Sequence, residues 1–202
     1  MTSGDHSFLE SHRREITVVF LDLRGFTAFA ETVEPEDVMQ VLHEYHEAMG
    51  DLIHRFQGTL ERFTGDGLMV FFNDPIPVPD AAERAVRMAV AMRGRVTQLA
   101  EEWHRRGFDL HAGFGVAQGH ATLGRIGFEG RSDYAAIGSV TNLAARLCGE
   151  AGAGQILISQ RVHAATADIL VAEPIGELSL RGFSRAIRAF DVKGLDAARV
   201  RA

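Results

Sequence analysis

Ile16-Thr17-Val18-Val19-Phe20-Leu21 leads without a break into Asp22-Leu23-Arg24-Gly25-Phe26-Thr27. The first six residues are apolar or β-branched with no polar alternation, the pattern of a central strand buried on both faces. Asp22 marks the strand's end. Beyond it, Gly25 and the backbone N–H groups of Phe26 and Thr27 stand at the start of a helix, a seat that suits phosphate oxygens.

Working outward, residues 1–14 are polar and predict a tether or the end of an upstream helix. On the other side, Glu34-Pro35-Glu36-Asp37 places proline and acids at a helix start. Val38, Val41, Leu42, Tyr45, Met49, Leu52, Ile53 and Phe56 then recur at helical spacing. Strands near 58–63 and 68–72 flank Thr64-Gly65-Asp66-Gly67, a hairpin with Asp66 at its tip. A second helix follows over about 80–105, with strands around 110–116 and 120–126. Gly124 to Arg131 is glycine-rich and basic, the composition of an ordinary loop or of a flexible hairpin. A helix near 141–150, a strand at 155–158, a short helix and a terminal hairpin over 175–180 and 186–192 complete the chain. The order β-α-β-β-α-β with added elements predicts an α+β fold: a ferredoxin-like split βαβ sheet with helices packed on it and a C-terminal extension. Residues 15–193 form the domain and 194–202 a tail.

The chain has 202 residues, enough for one domain with a full core. A net charge of −6 opposes a nucleic-acid groove. The single cysteine, Cys148, lies in an apolar helical stretch and reads as buried packing, which fits a cytoplasmic protein. No apolar run approaches the ~20 residues of a membrane span. His43, His46 and Glu47 lack the His-Glu-x-x-His order and read as a polar helix face. Trp103 and Met39, Met49, Met88 and Met92 read as packing.

The chemistry centres on Asp22 and Asp66. In the split βαβ topology the end of the first strand and the hairpin tip fall at one edge of adjacent strands, so two carboxylates converge. Hard cations such as Mg²⁺ pair such carboxylates with substrate phosphates. Either acid alone is accounted for by a strand end or a capped turn. On the helix after Gly138, Asn142 and Arg146 are spaced i, i+4 and share a face.

Four pieces in order resemble the class III adenylate and guanylate cyclases: Val19 to Thr27, Arg62-Phe63-Thr64-Gly65-Asp66-Gly67, Asp133 to Arg146, and Leu180-Arg181-Gly182-Phe183. The resemblance runs from about Arg14 to Val192. It implies that Asp22, Asp66 and the backbone carbonyl of Leu23 hold two divalent ions, Mg²⁺ or Mn²⁺. It also implies that Asn142 orients the ribose and that Arg146 stabilises charge on the α-phosphate. Gly25, Phe26, Thr27 and Arg181, which stands where the family usually has lysine, would meet the triphosphate. The metal-binding half of each site and the Asn142–Arg146 half would come from different chains, so a homodimer is implied, together with a possible upstream sensor.

The two base-reading positions depart from the family. Arg62 stands where adenylate cyclases place lysine and guanylate cyclases glutamate, and Ala135 where the former place Asp or Thr. Arg62 offers only N–H donors, which suit adenine N1 and oppose the N1–H of guanine, although one could still meet guanine O6. The expectation is an ATP-using cyclase with loose selectivity. A GTP-using enzyme, or a cyclase-like binding module with weak turnover, remains the alternative.

Overall fold

The computed structural model describes residues 11–128 and 131–196. In chain order these hold β1 (His12–Arg24), α1 (Phe26–Thr32), α2 (Pro35–Phe56), β2 (Thr59–Thr64), β3 (Gly67–Phe72) and α3 (Ala81–Arg105). There follow β4 (His111–Phe128), β5 (Arg131–Ile137), α4 (Ser139–Glu150), β6 (Ile156–Ser159), α5 (Gln160–Thr166), β7 (Leu170–Leu178) and β8 (Ile187–Leu195). They build one mixed sheet in the order β2-β3-β1-β4-β6-β8-β7, with β5 paired to the far end of β4. Its first four positions are the split βαβ arrangement, and β6, β8 and β7 are the extension.

β1 is central, antiparallel to β3 on one side and to β4 on the other. Its alternate residues enter two different cores, which is why its sequence shows no polar alternation. Val19, Leu21 and Leu23 pack with Tyr45 and Met49 of α2 and with Met88, Met92 and Trp103 of α3. Ile16 and Val18 pack on the other face with Met69, Phe71, Ala136, Val140 and Ala144. The sheet is therefore covered by α2 and α3 on one side and by α4 and part of β5 on the other. Burying apolar area on both faces stabilises the fold by roughly 25 cal/mol per Å².

α2 begins with Pro35 at its first turn and Glu36 and Asp37 beside the positive end of its dipole. It stops where Gln57 turns left-handed at φ 59°. α4 lies on β4 at Gly115, where a Cβ would come within 2.1 Å of the Ala144 carbonyl oxygen and 2.2 Å of the Cys148 nitrogen. Only glycine admits that approach. Cys148 is buried beneath the helix, and burial first of all pushes its thiol up to about 11. No helix among the described residues is long and apolar enough to cross a membrane.

Six expectations change. The two strands read at 110–116 and 120–126 are one strand, because the ladder to β1 continues unbroken through Ala117, Gln118 and Gly119. Within the tract read as a loop, residues 124–128 extend β4 and residue 131 opens β5, while 129–130 lie outside the described residues. β5 itself was not expected, since its charged and alanine-rich sequence carries no strand periodicity. Residues 12–14, read as the end of a tether, already belong to β1. Met39 is 65% exposed rather than packed, whereas Met49, Met88, Met92 and Trp103 are buried. Residues 194–195, expected to open a tail, belong to β8, and 197–202 lie outside the described residues.

Candidate active site

Asp22 forms the last pair of the β1–β3 ladder, directly opposite Gly67, the residue after Asp66. A side chain at Gly67 would press on this carboxylate, its Cβ falling 3.2 Å from Asp22 Oδ1. The bare glycine leaves room for the two acids to meet. Their proximity is recorded electrostatically: burial first, and then the Asp22 charge and a shared hydrogen bond, push Asp66 up to about 6. Two crowded carboxylates at a strand edge form the donor set a hard divalent cation relieves, so the residues fit the metal that the sequence pattern implies.

Arg24 carries a role the sequence reading did not assign. Two residues after Asp22, it projects from the same face of β1. Its Nη1 donates to Asp22 Oδ2 at 3.2 Å, its Nε to the Ala151 carbonyl at 2.9 Å, and its Nη2 to the Cys148 carbonyl. The two carbonyls are at the C-terminal end of α4, where a cation is favoured by the helix dipole. One guanidinium thus joins a candidate metal carboxylate to the helix bearing Asn142 and Arg146. The i, i+2 spacing was the visible signal, but α4's position was not.

His46 is a second correction. Rather than only facing solvent, its Nε2 donates to the Gly65 carbonyl at 3.0 Å, and its ring lies 4.5 Å from that of Phe63. It braces the turn that carries Asp66. Burial lowers its pKa, which keeps the ring neutral with Nε2–H as donor. His43 and Glu47 are exposed, as expected of a polar face. No group of three or more His, Cys, Asp or Glu side chains able to hold a metal occurs among the described residues, so the acid pair stands alone.

Tyr45, assigned to the core, is fully buried and its hydroxyl has no hydrogen-bond partner among the described residues. Burial first, then the charges of Asp22, Cys148 and Asp66, raise its pKa well above the ordinary phenol value.

Asn142 and Arg146 are both exposed on α4, opposite Val140, Ala144, Leu147 and Cys148, which are buried against the sheet. Neither makes a hydrogen bond or ion pair with any described residue. Gly25 is left-handed, φ 85°, and starts α1 with no side-chain cap, so the first amides, those of Phe26 and Thr27 among them, have no intrahelical acceptor. Arg181 is exposed in the turn between β7 and β8. The backbone of Leu23 continues β1, with its side chain buried in the α2–α3 core.

Arg62 is exposed on β2 and grips its neighbour Glu61 through Nε at 2.8 Å and Nη2 at 3.0 Å. The charge of Asp133 on β5 also acts on it. Ala135 is buried and paired with Gly124. Asp133 and Ala135 are two apart on β5 and share a face, so Arg62 and Ala135, the two positions expected to read the base, belong to one neighbourhood.

Residues 9–194 match the family model for the adenylate and guanylate cyclase catalytic domain. The chain belongs to that family. The cyclase domain is 30% identical over 196 residues to adenylate cyclase 1 of Rhizobium meliloti (strain 1021), covering 96% of this chain and 30% of that protein. It spans about a third of the length of the curated relatives it matches. Among solved structures it resembles the adenylyl cyclase CyaB from P. aeruginosa, with TM-score 0.90 and 35% identity over 94% of this chain and 98% of that one. The guanylyl cyclase Cya2 is similar too, with TM-score 0.86 and 32% identity over 93% and 95% of the two chains. The cyclase domain therefore has the class III fold read from its motifs, with relatives of both nucleotide preferences.

Proposed function

We propose that this cyclase domain converts ATP to 3′,5′-cyclic AMP and pyrophosphate at sites shared between two copies of the chain. The observation that carries the reading is the convergence of Asp22 and Asp66 at one strand edge, where burial and then the Asp22 charge push Asp66 up to about 6. In the reaction the ribose 3′-oxygen bonds to the α-phosphorus, the bond to pyrophosphate breaks, and the hydroxyl proton passes to water.

Asp22, Asp66 and the Leu23 carbonyl would hold two divalent cations, Mg²⁺ or Mn²⁺, which supply Lewis-acid polarisation of the 3′-hydroxyl and neutralise the triphosphate. The remaining roles belong to the chain's own groups. The N–H groups after Gly25, at Phe26 and Thr27, donate to phosphate oxygens. Asn142 orients the ribose, Arg146 meets charge growing on the α-phosphate, and Arg181 adds a cation at the triphosphate.

The side chains of Asn142 and Arg146 have no partner among the described residues of their own chain, and a second copy would give them one. Phe63, Ile126, Phe128 and Ile137 are each about half exposed or more, on β2, β4 and β5, and apolar side chains in such number favour a covered surface. A homodimer with two equivalent sites is the simplest closed assembly. A nucleoside triphosphate substrate and a free thiol at Cys148 fit a cytoplasmic protein.

The ATP preference rests on Arg62, whose donors match adenine N1. GTP use is the second reading, favoured by the likeness to Cya2 and by Ala135, which offers no side-chain group to either base. The test incubates purified protein with ATP or GTP and Mn²⁺ and measures cyclic nucleotide and pyrophosphate. Cyclic AMP formed faster than cyclic GMP supports the assignment. A GTP preference above about tenfold overturns it, and nucleotide binding without product would make the chain a binding module.

A further inference from the structure

Asp74 lies in the connection between β3 and α3 and is 1% exposed. A carboxylate so buried is costly unless its oxygens are engaged and its charge is met. Here both conditions hold, through residues from distant parts of the chain. The Tyr134 hydroxyl of β5 donates to Oδ1. On Oδ2, His12 Nε2 approaches to 2.8 Å and Arg14 Nη1 to 3.0 Å, both from the first residues of β1. The loop is fastened in turn. Thr59 Oγ1 donates to the Asp74 carbonyl at 2.7 Å, and the Asn73 side chain donates to the Glu15 carbonyl at 2.9 Å and accepts from the Val78 N–H at 2.8 Å.

The arrangement adds a long-range side-chain tether to β5, beside the Arg125–Ser132 hydrogen bond and the buried Ala136. Among the described residues β5 pairs only with β4, and Ala135 lies opposite Gly124, so no cross-strand side chain fixes the strand at that pair. The neighbouring Tyr134 turns to the opposite face, where its ring lies 6.4 Å from that of Phe71, and reaches the buried acid. Burial, with Asp74 beside it, raises the phenol's pKa and keeps the hydroxyl a donor. With alanine at 135, that position can present only main-chain groups to a purine, and the place of a main-chain group is set by where the strand lies. Two residues further on, β5 gives way to Gly138 and the start of α4, so the strand's placement also sets where Asn142 begins its turn.

We propose that Asp74 is a positioning residue for nucleotide selection, which holds β5, and with it the Ala135 backbone, in place through the Tyr134 hydroxyl. The proposal rests on the reading that Ala135 lines the base site. It predicts that loss of the tether changes the choice between purines, beyond any loss of stability. A merely structural residue, by contrast, lowers the active fraction equally for both nucleotides.

The test compares Tyr134→Phe, which keeps the ring and removes the hydroxyl, with Asp74→Asn, which keeps an acceptor for Tyr134 and removes the charge met by Arg14. For each variant kcat and KM are measured with ATP and with GTP, and amide hydrogen exchange is followed in residues 131–137. Tyr134→Phe should change the ATP:GTP ratio of kcat/KM by about threefold or more, chiefly through KM, and speed exchange in β5. Asp74→Asn should stay within about twofold of the wild-type ratio even if its melting temperature falls. Equal losses for both nucleotides in Tyr134→Phe, or unchanged exchange in β5, would overturn the proposal. Ala135→Asp separates the two levels. If it leaves the ratio unchanged, Ala135 is not at the base and the proposal falls with that reading; if it shifts the ratio and Tyr134→Phe does not, the proposal alone falls.

Discussion

Arg24 holds the Asp22 carboxylate at 3.2 Å with one guanidinium nitrogen while its Nε reaches the Ala151 carbonyl at 2.9 Å. A candidate metal-site acid and the end of α4 are thereby parts of one hydrogen-bonded unit. Arg24→Ala leaves those groups unsatisfied and removes the charge that tempers the Asp22–Asp66 repulsion. The expected cost is about 1–3 kcal/mol of stability, seen as a lower melting temperature, with a loss of about tenfold or more in kcat/KM. Arg24→Lys should recover only part of it, since an ammonium cannot span three acceptors in a plane. Unchanged melting and turnover in both variants would remove Arg24 from the site.

The acid pair sets a pH dependence with a definite sign. Asp66 is raised from 3.8 to about 6 in the folded protein, chiefly by burial and then by Asp22. A raised carboxylate contributes stability that is fully present below the unfolded value and is lost as the pH rises through the folded one. Metal-free protein should therefore lose stability on this account between pH 3.8 and about 6. Asp22→Asn removes the repelling charge and should flatten that slope. Melting temperatures of both proteins across the window, without divalent ions, check this. Protons and cations compete for the same oxygens, so Mn²⁺ binding measured calorimetrically should weaken below pH 6.

Site sharing is tested by complementation. Asp22→Ala and Asn142→Ala chains should each be inactive as homodimers, and mixing them should restore one working site per heterodimer. Activity near a quarter of the wild-type value is expected from random pairing of equal amounts, about half the dimers carrying one of two sites. A mixture that stays inactive under conditions where heterodimers form would contradict sites built across the two-fold axis.

Tyr45 provides a stability test beside the chemistry. Its hydroxyl is buried with no partner among the described residues, and phenylalanine would remove that group without opening a cavity. Tyr45→Phe should be stabilising by about 1 kcal/mol, read from denaturant unfolding. A loss of stability would mean that an ordered water completes the hydroxyl's bonding and belongs to the site.

Much of this was legible because the signals are local. The unbroken apolar run at 16–21 marks a strand between two cores, and both cores are present. Glycine at 65 and 67 marks the hairpin, and the i, i+4 spacing of Asn142 and Arg146 places both on α4's open face. β5 escaped notice because its stability comes from β4 and from Tyr134, not from its own periodicity. His46 looked like one more polar residue on a helix, since nothing within α2 reveals that Gly65 lies against it.

From its sequence alone this chain is determined to be a split βαβ sheet with two acids at one edge, because strand burial, turn chemistry and helical spacing act over a few residues at a time. Only the tertiary structure decided that Arg24 ties Asp22 to α4, that His46 braces Asp66's turn, and that Asp74 gathers His12, Arg14 and Tyr134. Each of those contacts joins residues far apart in the chain, and its existence depends on how whole layers pack.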